Sequence, residues 1–230
     1  MQIRAKFSKL KPVRYISHLE LMDTFRKAFR RAKLPLAFSK GYNPHIKLAL
    51  GQPLSVGMVG KAEYFDLVLN EKIDRVFFLN QINPVLPEGI KVLQAKLIPE
   101  TAKSLQAVVN TAVYLLKMNF KTDVDQKKII NDFYNLDQIK IIRRRRNKKD
   151  RELDLKPMIY EIELFKPGIW KFIVSTGSRG NVRASELSRA LAERYSVIND
   201  IPVINITRQQ MLVKIEDNYY SPLDQKVVRR

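Results

Sequence analysis

Two short stretches decide the fold: QIRAKF (Gln2–Phe7) and SHLELMDTFRKAFRRAKLP (Ser17–Pro35). The first alternates, with Ile3, Ala5 and Phe7 on one side, the period of a half-buried strand. The second opens on Ser17-His18-Leu19-Glu20. A Ser followed three residues later by Glu is a capping box: the hydroxyl serves the N3 amide and the carboxylate reaches back. Behind it Leu19, Met22, Phe25, Phe29 and Ala32 recur at helical spacing, and Pro35 ends the run. The outer face of this helix carries Arg26, Lys27, Arg30, Arg31 and Lys33, with Asp23 as the main opposing charge.

The order continues outward from there. Phe38 to Gly60 is Gly/Pro-rich and holds a short extended piece at Ile46–Leu50. Glu63–Leu69 reads as a strand, Ile73–Ile82 as a short helix closed by Asn83-Pro84, and Ile90–Leu97 as a strand. That is β-α-β-β-α-β, the split βαβ order of a ferredoxin-like half. Pro99–Gln106 reads as a link, after which the order starts again. Ala112 to Phe120 alternates, and Asp123 opens a helix with Ile129, Ile130, Phe133 and Leu136 inward. Met158–Leu164 and Trp170–Val174 are strands joined at Lys166-Pro167-Gly168. Ala184–Tyr195 is an amphipathic helix and Pro202–Val213 a closing strand. The expected fold is therefore α+β: two ferredoxin-like halves, residues 1–100 and 108–216, with a basic hairpin (139–156) inserted in the second. Residues 217–230 read as a polar, basic tail.

The inserted hairpin is the most charged part of the chain. Arg143 to Arg151 reads RRRRNKKDR, seven Lys or Arg and one Asp in nine residues, between the apolar flanks Ile139–Ile142 and Leu153–Leu155. The whole chain has 42 Lys+Arg against 23 Asp+Glu, a formal net charge of +19. Such an excess repels itself in the folded state. A polyanion relieves it, and nucleic acid is the usual one, because its phosphates release counterions to Lys and Arg. A solvated, mobile ribbon is the competing reading of the hairpin.

Composition excludes several chemistries. With no cysteine there is no disulfide, thiolate zinc site, iron–sulfur cluster or thiol nucleophile. Two histidines, His18 and His45, give no His-rich metal site. Asp123/Asp125 and Asp150/Glu152/Asp154 suit helix capping and charge relief better than magnesium. No metal or cofactor is expected. MQIRAKFSKL has no apolar signal core and no run approaches ~18 apolar residues. The expectation is a cytoplasmic protein with no membrane partner.

Candidate binding residues fall in four places. The loop Ala37 to His45 combines a cation, an aromatic ring and an imidazole: Lys40 to meet phosphate, Tyr42 to stack on a base, His45 to donate a hydrogen bond or move a proton. A plain Asn-Pro turn with Phe38 and Tyr42 in the core is the alternative. The loop Thr176 to Arg183 offers Gly177 and Gly180 before a helix, with Arg179 and Arg183 adding charge; it matches neither Walker A nor GxGxxG. Phosphate contact and a simple turn both remain open there. The hairpin supplies Arg143, Arg144, Arg145, Arg146, Lys148 and Lys149, and the first helix Arg26, Arg30 and Arg31. Candidates for acid–base chemistry are His45, His18 and Tyr42, with Tyr15 beside His18.

The stretches Arg14 to Met22, Arg30 to His45 and Pro53-Leu54-Ser55-Val56-Gly57 resemble the radical-SAM-associated domain family of unknown function. Weaker similarity continues through Leu153 to Pro157 and Asn181 to Leu187. Members of that family stand alone or are fused behind a cobalamin-binding radical-SAM protein, and tend to be encoded near ribonuclease G and ribosomal-protein genes. The resemblance implies an accessory protein that presents ribosomal or transfer RNA (rRNA or tRNA) to a radical-SAM enzyme. It supplies no catalytic residue, and a chain without cysteine cannot hold the three-Cys cluster itself. The two-half architecture also resembles CRISPR-repeat endoribonucleases, which makes a metal-independent ribonuclease the alternative, with a protein-only scaffold for the radical-SAM partner as the third reading.

Overall fold

The computed structural model describes residues 1–144, 149–178 and 180–228. In chain order the elements are β1 (Gln2–Lys9), α1 (His18–Arg31), β2 (Leu48–Leu50), β3 (Val59–Val68), α2 (Arg75–Ile82), β4 (Ile90–Ile98), α3 (Leu105–Val108), β5 (Thr111–Lys117) and α4 (Gln126–Tyr134). There follow β6 (Lys140–Arg143), β7 (Arg151–Asp154), β8 (Ile159–Lys166), β9 (Ile169–Ser175), α5 (Ala184–Arg194), β10 (Ile206–Ile215), β11 (Asn218–Tyr220) and α6 (Gln225–Val228). The fold is α+β. One sheet runs β4-β1-β3-β10-β5-β9-β8, with β2 on β3 and β11 on β10, while β6 and β7 form a separate ribbon.

Each half uses the same order. In the first, β1 lies antiparallel between β4 and β3, and β2 pairs with the far end of β3. In the second, β5 lies antiparallel between β10 and β9, and β8 pairs with β9. These are the pairings that a split β-α-β-β-α-β chain generates. The halves join through a short parallel contact, Thr207↔Val59 and Arg208↔Gly60.

Local chemistry sets the helix ends. Ser17 Oγ accepts from the Glu20 amide and the Glu20 carboxylate accepts from the Ser17 amide, so the capping box forms and holds the Glu20 carboxyl below its usual value. α1 buries Leu21, Phe25, Ala28 and Phe29. Leu19, expected inward, is 74% exposed: it precedes the stripe, and Leu21 fills that place. Lys33, at φ 49°, turns the chain before Pro35 is reached. Phe7, Phe25, Phe29 and Phe65 pack ring against ring, edge-on, tilted or stacked, as the centre of the first core. Trp170, Phe172, Phe133 and Leu187 centre the second.

Several expected boundaries shift. α4 starts at Gln126 because Asp125, not Asp123, accepts from the Lys128 amide. β5 ends at Lys117, and Phe120 makes only an isolated bridge to Ile198. β10 starts at Ile206, after a 3₁₀ turn over Val203–Asn205. The link contains α3. The segment read as a polar tail is part of the fold: β11 pairs with β10, and α6 buries Val227 and Val228. Pro222 and Leu223 carbonyls accept from Arg4 and Lys96. That closure covers a buried cross-strand pair, Arg4–Asp66, at 2.7 and 2.8 Å. No helix among the described residues is long and apolar enough to cross a membrane.

Candidate nucleic-acid interface

The basic hairpin is rooted in the second core. Ile139, Ile141 and Leu155 are buried, while Ile142 on the other face is 61% exposed. The Asp154 carboxylate accepts from the Ile139 and Lys156 amides and closes the base. β6 and β7 pair from Lys140↔Asp154 to Arg143↔Arg151. At that last rung Arg143 turns inward. Its guanidinium donates to both Glu186 oxygens (2.7 and 2.6 Å) and to the Asn181 carbonyl (2.6 Å). Glu186 is buried on α5 and also accepts from the Arg183 amide. Arg143 is thus a brace between arm and body, with its Nε and Nη2 donors committed. Sequence could not show this, because Glu186 lies 43 residues away.

Beyond the brace the charge faces solvent. Arg144, Lys149 and Arg151 are exposed, as is Arg189 on α5. Among the described residues none of these four makes a salt bridge. Between ribbon and helix runs a groove of about 520 Å³ that brings Arg144, Arg189 and Lys140 together with Asp150, Glu152 and Glu193. Lys140 and Glu152 pair on its rim at 3.2 Å. Arg145, Arg146 and Lys148 of the arm lie outside the described residues, and so does Arg179.

The other candidates sit elsewhere. On α1, Arg26 pairs with Asp23 (2.9 Å) and Arg31 donates to the Val85 carbonyl (2.8 Å), while Arg30 is exposed. The Ser39–His45 loop is closed by its own ends: the Ser39 amide donates to the His45 carbonyl and the His45 amide to Ser39 Oγ. Lys40, Tyr42 and His45 are exposed on it, and Tyr42 fully so, which removes the core reading of that ring. Phe38, the other ring, is 43% exposed. His18, first residue of α1, is half-buried; burial and the nearby Arg208 charge push its imidazole below the ordinary value.

The two histidines are far apart. The chain leading to the His45 loop bonds at Val68, through the Ala37 amide. His18 follows the turn held by Lys9, whose Nζ donates to the Arg14 and Ile16 carbonyls and whose Cα partner is Gly60. Gly60 and Val68 are eight residues apart on β3, about 26 Å at the rise of a strand. The segments carrying His18 and His45 are thus anchored toward opposite ends of β3.

The loop before α5 is shaped by packing. Gly177 stands at φ +90°, and a Cβ there would lie 2.9 Å from the Val109 carbonyl. At Gly180 a Cβ would meet Met158 Sδ at 2.9 Å and Ser175 Oγ at 3.1 Å. Gly177 is required by the turn, because its φ is positive and the Val109 carbonyl is backbone, whereas at Gly180 the flexible Met158 side chain can shift. Arg183 is exposed at the start of α5, with its Nε 4.0 Å from Glu186.

This loop forms one wall of a pocket of about 290 Å³ at the junction of the halves. Its floor is Arg208, 2% exposed, and Tyr114. Arg208 donates to Glu63 Oε1 at 2.8 Å and to the Gln52 and Pro53 carbonyls at 2.7 and 3.1 Å. Burial disfavours its charge, but Glu63 and Tyr114 together more than offset this, and the guanidinium is held above its ordinary value. Neither Arg208 nor Glu63 stands out in the sequence. Both sit among other charged residues of their strands, Lys61 and Asp66 on β3 and Lys214 on β10, and nothing in the spacing sets them apart.

No curated protein matches the chain. A crystal structure of a Cbf5–Nop10–Gar1 complex is similar in fold, at 16% identity and a TM-score of 0.50, covering 90% of this chain and 48% of that one. A structure of an H/ACA RNP bound to a substrate RNA containing 2′-deoxyuridine matches at 14% identity and a TM-score of 0.49, covering 90% and 46%. This chain spans about half the length of the solved chains it matches, and at such identities the likeness concerns fold alone. A sequence profile matches residues 2–184, both halves through the start of α5, and by that match the chain belongs to the family described as uncharacterized protein conserved in bacteria (DUF2344).

Proposed function

We propose that the chain is an RNA-binding accessory protein whose basic hairpin is its principal phosphate-contacting arm. One observation carries this reading: the arm's root is fixed by the part-buried Arg143–Glu186 pair, while Arg144, Lys149 and Arg151 beyond it face solvent. A braced ribbon presents its cations at lower entropic cost than a mobile one, so phosphate binding gains more from each. The +19 net charge supports the same partner class. Exposed Lys40, Tyr42 and His45 form a second contact, a cation beside a ring that can stack on a base. Ribosomal or transfer RNA as the target, and a radical-SAM enzyme as the partner that modifies it, rest on the sequence resemblance alone.

The test is binding of labelled mixed RNA across salt. With several phosphates neutralised, affinity falls steeply between about 50 and 200 mM salt. A flat response removes RNA as the partner of this surface. Co-purification with the radical-SAM protein, before and after ribonuclease treatment, separates an RNA bridge from direct contact.

A further inference from the structure

The junction pocket belongs to neither half. Residues 52–55 and Met58 from the first half form one wall, and Thr176 with residues 181–184 from the second forms the other. At about 290 Å³ it lies at the lower end of the ~300–1,000 Å³ typical of small-ligand sites. That suits a single nucleotide and not a base pair.

We propose that this pocket takes one unstacked nucleobase with its phosphate, an inference that rests on the RNA reading above. The lining has the chemistry of a flat ring with polar edges. Pro53 and the edge of Leu54 offer apolar surface to its faces, while Gln52 and Asn181 offer amide groups to its edge. Among the described residues two arginines line the pocket and no carboxylate does. They act differently. Arg208 on the floor is already paired with Glu63, so the interior carries little net charge and accepts a neutral base. Arg183, with its side chain 56% exposed, supplies the charge for phosphate at the mouth.

Both walls are set in advance. Arg208 holds the Gln52 and Pro53 carbonyls, and Gly177 is seated against Val109. Pre-set walls spare a ligand the cost of ordering them. Position links the pocket to the arm: Asn181 lines the pocket with its side of the loop and accepts from Arg143 through its carbonyl. An RNA strand lying on the hairpin therefore passes the pocket's mouth.

The test uses RNA oligonucleotides carrying one 2-aminopurine at successive positions, read by anisotropy for binding and by emission for unstacking. At saturation one position brightens severalfold, and Ser55→Trp, an exposed change at the pocket's edge, abolishes the rise while keeping a cooperative thermal melt. Saturable binding with no brightening at any position overturns the pocket and leaves the RNA reading intact. If anisotropy shows no RNA binding, the RNA reading fails and free nucleoside 5′-monophosphates decide the pocket by calorimetry. Binding that Ser55→Trp weakens about tenfold or more supports a free nucleotide as the ligand. No binding overturns the inference.

Discussion

Arg143→Ala separates the brace from the phosphate ligands around it. In the folded protein the Arg143 side chain is 19% exposed and that of Glu186 is 4%. The substitution removes two charge-assisted bonds to Glu186 and one to the Asn181 carbonyl. Glu186 would then keep the Arg183 amide at 3.2 Å and its guanidinium at 4.0 Å. Breaking a fully buried pair costs about 3–5 kcal/mol because a charge is left behind unpaired. Partial exposure and the remaining partners reduce that to about 2–3 kcal/mol. For a chain of this size each kcal/mol shifts the melting midpoint by about 2–4 °C, so the midpoint falls by about 5–10 °C. Arg144→Ala, by contrast, leaves the midpoint within about 1 °C, as exposed surface changes usually do. Removing both charges, Arg143→Met with Glu186→Gln, recovers most of the loss, since no buried ion is orphaned. Calorimetry of the four proteins reads this directly. If Arg143→Ala melts with the parent and loses RNA affinity just as Arg144→Ala does, Arg143 is a phosphate ligand and the brace is wrong.

Two further outcomes follow from the geometry. Gly177→Ala lowers stability by about 1–3 kcal/mol through its positive φ and the Val109 carbonyl, whereas Gly168→Asn, at φ +72° with nothing within 4 Å, costs little; thermal melts compare them. His18 has its folded pKa lowered from 6.5 by burial and Arg208, so the folded state binds fewer protons there than the unfolded one. The stability tied to neutral His18 is fully present above about pH 6.5 and is lost as pH falls through the lower folded value. His18→Gln therefore narrows the gap in melting midpoint between pH 7.5 and 5, and an unchanged gap rejects the assignment.

The parts of the fold legible in the sequence are those specified locally. The Ser17–Glu20 box announces α1, and the alternation of Gln2–Phe7 and of Ala112 onward announces β1 and β5. Asp125 took the capping role from Asp123 because the Lys128 amide lies three residues on, a choice of register that spacing alone leaves open. The union of the halves was not legible. Its strand pairing is two residue pairs between β3 and β10, 148 residues apart in sequence, reinforced by the bonds of Arg208 to Glu63, Gln52 and Pro53, with no periodic signature. The same distance hid the Arg208–Glu63 floor, since a charge in a strand reads as a solvent-facing residue until a partner is seen. The terminal segment read as polar because its two buried valines, Val227 and Val228, are too few to make a pattern. In the hairpin, composition located the charged arm but could not tell the brace, Arg143, from its exposed neighbours.

The central claim is that the arm beyond that brace holds RNA. The measurement is the salt dependence of RNA affinity for a variant in which residues 144–150 are replaced by Asn-Gly between the paired Arg143 and Arg151. The replacement removes Arg144, Arg145, Arg146, Lys148 and Lys149 together with Asp150, and keeps the Arg143–Glu186 pair. The predicted result is a folded protein with weaker RNA binding and a log–log salt slope shallower by about 3–4, at about 0.7 for each single-strand phosphate no longer neutralised. A folded variant that binds as tightly as the parent at physiological ionic strength, with the same slope, would contradict it.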